Sequence, residues 1–255
     1  SGGAVYIKST ETNRLFDING STFLRNQCYN FADFDNKKGG AICIDAPQST
    51  VKISDCTFEG NECGNGGAIY YSRDSQTLSK TLLEDDIYSY SLYINECRFT
   101  DNAAKSNGGA IFISITNAAS LKPIEINNCK FNGNDANHKD SFRDTETPEK
   151  GGAIYFSYDP PNENKDFVFR IVDSDFSENK VTYDGGAIYI SLTKSHESHQ
   201  IEINHCTFNK NIANNEIEQT ESKDGKGADI YYVINSESTT ESQTAISTEP
   251  SLVIS

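Results

Sequence analysis

The chain has no Met, no Trp and only six Pro and four His, and its 22 Lys and Arg stand against 37 Asp and Glu, a net charge of -15. A nucleic-acid groove needs a basic footprint, so that partner class is excluded. No apolar run approaches the ~18 residues of a membrane-spanning helix. With neither a starting Met nor a signal peptide, the 255 residues read as a processed or excised piece. The seven cysteines never fall in a C-x-x-C pair, which removes the compact zinc and redox motifs, and they are too few to frame a disulfide scaffold of this length.

What is present is a repeat. Gly-Gly-Ala triplets begin at Gly2, Gly39, Gly66, Gly108, Gly151 and Gly185, and a worn copy surrounds Gly227. The intervals run from 27 residues (Gly39 to Gly66) to 43 (Gly108 to Gly151). A second motif, Phe-x-x-Asn, alternates with the first. It occurs as Phe23/Asn26, Phe58/Asn61, Phe99/Asn102, Phe131/Asn134, Phe176/Asn179 and Phe208/Asn211. Upstream of each Phe the spacing is fixed: IEINNCKF (Ile124–Phe131) and IEINHCTF (Ile201–Phe208) are nearly one string. Fixed self-similarity of this kind marks a solenoid.

The apolar step inside each motif is two, so Ile124 and Ile126 share one face of a strand, as do Cys129 and Phe131. The step between Ile126 and Cys129 is three, which predicts a bend at Asn127–Asn128, and a second bend precedes Asn134. A helix is excluded, since glycine pairs would cost it roughly 2 kcal/mol and β-branched and aromatic residues dominate. The reading is an all-β, single-chain parallel β-helix, one domain over residues 1–255, of about six to seven coils with three short strands each. At the strand spacing of ~4.8 Å it forms a rod roughly 30 Å long. Insertions fall at two corners only: after GGAIY (six residues at Asp45–Thr50, twenty at Ser72–Ser91) and between the Asn and the next Gly-Gly. The chain starts inside a repeat and ends at Leu252 and Ile254, in the places of Ile124 and Ile126. Both ends stop in mid-coil, which predicts a fragment of a longer chain or ends that stack on other subunits.

The columns of this stack carry the candidate residues. Phe23, Phe58, Phe99, Phe131, Phe176 and Phe208 read as core. Asn26, Asn61, Asn102, Asn134, Asn179 and Asn211 read as an inward amide ladder. Cys56, Cys97, Cys129 and Cys206, with Ser21 and Ser174 at the same position, read as small buried fillers. Stacked neighbours lie within disulfide range, so Cys56–Cys97 and Cys28–Cys63 are possible pairs. If the Ile residues face in, Tyr6, Tyr70, Phe112, Tyr155 and Tyr189 face out, interrupted by Cys43, as a flat stripe suited to stacking on sugars or a protein partner. The bland alternative is that long loops fold over the stripe.

Alternating GGA[IV] and FxxN repeats with C-x-F before the Asn resemble the polymorphic outer-membrane protein repeats of chlamydial autotransporter passengers, and similar repeats of protist surface proteins. The resemblance covers nearly the whole chain. It implies a right-handed β-helix of the pectate-lyase-like type, displayed at a cell surface or secreted, and used in adhesion. Nothing matches the family's membrane-barrel export domain.

Other chemistry is sparse. Carboxylates at Asp33–Asn36 and Asp224–Asp229 are of the type that hard cations take, without the full spacing of a calcium loop, so no cofactor is expected beyond a structural Ca2+. His138, His196, His199 and His205 are scattered. The sequon at Asn19 is a glycosylation site if the chain enters a secretory pathway. Glycoside hydrolysis needs paired carboxylates, yet Glu84–Asp86 lies in an insertion with no His-Gly after it. Lyase chemistry needs a positioned Arg, and neither Arg98 nor Arg170 converges on such a set. The expectation is therefore a non-enzymatic, extracellular or cell-surface protein that binds a host-cell or extracellular glycan or protein. The alternative is a structural subunit of a filament or coat, with copies meeting end to end.

Overall fold

A computed structural model describes residues 2–11, 13–28, 37–46, 49–74, 91–116, 123–136, 149–159, 167–193, 199–213, 227–234 and 252–254. Among these residues there are strands and no helix, and every strand pair is parallel. The strands form four sheets of seven, seven, six and five strands, each ordered by successive coils. The chain is a parallel β-helix.

One coil shows the construction. Ile111–Thr116 lies in the first sheet, Ile124–Asn127 in the second, Lys130–Asn132 in the third and Asp135–Ala136 in the fourth. The register is strict: Ile111 pairs with Ile69 on one side and Ile154 on the other. Like residues therefore stack on like. Ile124, Ile126 and Phe131 are fully buried, while Glu125 and Lys130 between them are not. The Phe column becomes a continuous stack, with ring centroids 4.7 to 5.1 Å apart from Phe23 through Phe208. Each such pair adds about 0.5–1.5 kcal/mol beyond burial.

The expectation of three strands per coil is corrected to four. The fourth sheet consists of two-residue rungs such as Glu62–Cys63 and Ala103–Ala104. Two residues are too few for an alternation to show in sequence, and only the pairing with neighbouring coils makes them strands.

The bends are left-handed residues. Asp55, Glu96, Asn128, Asp173 and His205 have φ between 49° and 54°, one per coil, between the second and third sheets. Arg25, Asp101, Glu178 and Lys210 repeat this just before the ladder Asn, with φ between 51° and 57°. A side chain in this region costs about 1–2 kcal/mol. Gly60 and Gly133 hold the same column as Lys210, and Lys210 is exposed. Lys210→Gly is therefore expected to raise stability by about 0.5–1 kcal/mol, the strain relieved less the added freedom of the unfolded chain. Urea denaturation at matched pH measures it.

The two glycines of each triplet have different reasons. Gly108 takes φ +66° at the corner leading into the first sheet. At Gly109 a Cβ would be driven into the carbonyl oxygen of Gly152 in the next coil, with the Asp135 nitrogen at 2.7 Å. The second glycine is required by the closeness of the coils.

Candidate functional site: an aromatic column and its cover

The residue two after the Ala of each triplet lies on the first sheet in one column: Tyr6, Cys43, Tyr70, Phe112, Tyr155, Tyr189 and Tyr231. From Tyr70 onward the rings stack at 4.9, 4.8, 5.2 and 5.5 Å. Tyr231 belongs to the worn seventh copy and extends the column. The tyrosine two after the expected Ala was the signal for it.

The column is not the open stripe that the alternation implies. Tyr70 is 7% exposed, Tyr189 3% and Tyr231 5%, with Phe112 and Tyr155 half-buried; only Tyr6, at 50%, is open. Part of the cover comes from the residue just before each Gly-Gly. Lys38 places its ammonium 4.9 Å from the Tyr70 ring centre, and Lys150 sits 4.6 Å from that of Tyr189. Lys150 also donates a hydrogen bond of 3.0 Å to the Tyr189 hydroxyl. Backbone bridges Lys38 to Asn65, Asn107 to Lys150, and Lys150 to Asp184 hold this pre-glycine column above the rings. Burial pushes the Tyr189 hydroxyl up to about 12, and raises Tyr155 and Tyr231. These three hydroxyls stay protonated at physiological pH and offer no phenolate nucleophile or base. Lys38 and Lys150 went unnoticed in the sequence, although each stands one residue before a triplet.

Inside the coil the ladder is continuous. Asn61, Asn102, Asn134 and Asn179 are fully buried. Each side-chain oxygen accepts the backbone N–H and the Nδ2 of the Asn in the preceding coil, at 2.9 to 3.1 Å. Each Nδ2 also donates to the Phe carbonyl of the preceding coil: Asn61 to Phe23, Asn102 to Phe58, Asn134 to Phe99, Asn179 to Phe131. Both donors and both acceptor sites of the amide are thereby used. Asn211 Nδ2 donates to the Phe176 carbonyl at 3.1 Å and to Asp229 Oδ1 at 3.0 Å.

The cysteine column is more than filler. The Cys56 backbone N–H donates to Cys97 Sγ at 3.4 Å, and Cys129 N–H donates to Ser174 Oγ at 3.1 Å. Each thiol or hydroxyl in turn donates to the carbonyl two residues before it. Cys and Ser share the position because both carry a donor and an acceptor there, not merely because both are small. The Cys97 thiol is held protonated first by its hydrogen bond to Cys129 and then by burial, which leaves no reactive thiolate. Cys56 and Cys97 are free thiols, contrary to the Cys56–Cys97 pairing considered above, since these hydrogen bonds engage both. Cys28 and Cys63 form a disulfide, with Cα atoms 5.1 Å apart. Cys97→Ser is expected to change stability by less than about 1 kcal/mol, whereas Cys97→Ala strands the Cys56 amide and costs about 2 kcal/mol in chemical denaturation.

Asp33–Asn36, Asp224, His138, His196 and Glu84–Asp86 lie outside the described residues. His205 stands 3.5 Å from Asp173, both exposed. No group of three or more His, Cys, Asp or Glu able to hold a metal occurs among the described residues. Arg170 is engaged by Glu202 at 2.7 and 3.3 Å, and Arg98 is exposed in the third sheet. Asn19 is exposed at the end of its strand, with the Ser21 hydroxyl on its own carbonyl at 3.1 Å.

Stacked coils, one-residue-wide ladders and glycine-fixed corners define a solenoid repeat protein. Three segments, residues 55–72, 96–114 and 173–191, match the family model of the Chlamydia polymorphic membrane protein repeat, so the repeat is similar to that family's. Each matched segment begins at a left-handed corner (Asp55, Glu96 or Asp173) and runs through the Phe, the ladder Asn and the triplet into the first sheet. Comparison with curated proteins and with solved structures returns no match.

Proposed function

We propose that this chain is a surface-displayed or secreted β-helix that acts by binding a glycan or protein partner, without catalysis. The observation that supports it is the repeat itself, shared with membrane-associated Chlamydia proteins at three sites. The physical organisation agrees. The described rungs stack in strict register, so the repeat supplies a stiff scaffold.

With Tyr70, Tyr189 and Tyr231 covered, partner recognition shifts from the ring column to the corner insertions, which the repeat does not prescribe in length or composition, and to the open Tyr6. The sequence confines those insertions to the same two corners of the rod. The test is a corner exchange. Residues 137–148 are replaced by a short polar link, and binding to host-cell surfaces and glycan arrays is compared with that of Tyr6→Ser and Tyr155→Ser/Tyr189→Ser. The expected result is loss of at least tenfold in affinity for the corner variant, a smaller loss for Tyr6→Ser and none for Tyr155→Ser/Tyr189→Ser. Equal binding by all variants, each folded, removes the binding assignment to these elements. Turnover of acidic polysaccharides by the unaltered chain overturns the non-catalytic reading.

A further inference from the structure

The seventh triplet breaks the rule that the other six obey. Gly186 carries no Cβ because one would strike the carbonyl oxygen of Ala228 in the coil above it. The same holds for Gly40, Gly67, Gly109 and Gly152 against the second glycine of their next coil. In the seventh coil this position is Ala228, and it is exposed. Its methyl group stands where the carbonyl of an in-register eighth coil would have to lie. The next residue departs as well. The Ala position, fully buried at Ala110, Ala153 and Ala187, is Asp229, also exposed. Its backbone carbonyl still accepts the N–H groups of Ala187 and Ile188, so the seventh coil is stacked on the sixth in the ordinary way. Its side chain accepts from Asn211 Nδ2 at 3.0 Å. A coil laid over it would bury that carboxylate, a position that ionised groups strongly resist.

From these two substitutions we infer that the seventh coil is a stop. Its open face rejects another coil of this repeat, whether from this chain or from the first coil of a second copy. The methyl blocks the approach of backbone, and the carboxylate keeps the face hydrated. Natural sheets control open edges by such inward charges and steric blocks. This inference goes beyond the binding reading and stands whether or not that reading holds. It bears directly on the end-to-end filament, which would need this face as one of its two contacts.

Two variants test it in opposite directions. Gly186→Ala/Ala187→Asp moves the stop one coil inward, beneath a coil that does stack. Hydrogen-exchange protection of residues 230–234 is expected to fall by on the order of 100-fold, while residues 111–115 keep theirs. Unchanged protection at 230–234 overturns the inference. Ala228→Gly/Asp229→Ala restores the regular triplet. Sedimentation velocity over a hundredfold concentration range is expected to show end-to-end growth for this variant and a constant coefficient for the unaltered chain. Identical sedimentation of the two, or filaments of the unaltered chain with the seventh coil seated on the first, also overturns it.

Discussion

Gly109→Ala should prevent the middle of the stack from closing. The added methyl would enter the carbonyl of Gly152 and press on the Asp135 nitrogen at 2.7 Å, both backbone groups. Neither can move alone, because each residue is tied into its own ladder: Gly152 N–H to Gly185, Asp135 N–H to Asn102. Relief requires the fourth and fifth coils to separate. The residues next in the hydrogen-bonded row, Ala110 and Ile111, both donate to the Ala153 carbonyl and would part with it. A loss of about 4 kcal/mol or more is expected, in the range reached only by severe overpacking or broken networks. The control is Gly20→Ala. Gly20, unlike Gly109, has a positive φ, +59°, but nothing lies within 4 Å of its Cβ position. That variant carries only the left-handed penalty of about 1 kcal/mol. Guanidinium denaturation followed by circular dichroism separates the two; equal costs would mean that coil contact is not what demands the second glycine.

Asn134→Ala is the second large effect. It removes one amide from the middle of the ladder and leaves four groups short. Asn102 loses the acceptor for both its N–H and its Nδ2, the Phe99 carbonyl loses its donor, and Asn179 Oδ1 loses one of two. Each stranded buried group costs about 1–3 kcal/mol, partly relieved where water enters the cavity, so a total of about 4 kcal/mol is expected. Asn134→Asp preserves the shape but cannot donate to Phe99 or Asn179, and it places a charge where none is solvated. It is expected to be no better than alanine at neutral pH. If Asn134→Asp is tolerated, the column is a matter of size and not of hydrogen bonding. Asn26, half-buried at the first coil, gives the lenient end of the same series, since only Asn61 depends on its neighbourhood there.

Much of this was legible without coordinates. The spacing of Ile124, Ile126, Cys129 and Phe131 announces two strands and a bend, because side chains alternate at every step of a strand and a step of three cannot. The recurrence of Phe and Asn in fixed register announces stacking, because only equal coils bring like residues into columns. The bend residues were less visible: Asp55, Glu96 and His205 have nothing in common except that the chain geometry forces each into a left-handed conformation. The two-residue rungs of the fourth sheet were hidden for the same reason, being shorter than one alternation.

The candidate site was read less well. Alternation correctly puts Tyr70, Phe112, Tyr155 and Tyr189 on the side of the strand opposite the Ile residues. It cannot say whether that side meets water. Lys38 and Lys150 cover the rings from one residue before the glycines, and the left-handed turn at the triplet is what folds them back over the strand. Likewise Cys28–Cys63 and Cys56–Cys97 are equivalent as stacked neighbours in sequence. One pair is joined and the other is drawn into hydrogen bonds with the backbone.

The sequence by itself determined the coil, its period, its inward faces and the ladder residues, since these follow from side-chain alternation and exact repetition along one chain. The tertiary structure alone decided which outward residues are covered and which thiols pair. Those outcomes depend on contacts between coils, at distances that a one-dimensional pattern does not contain.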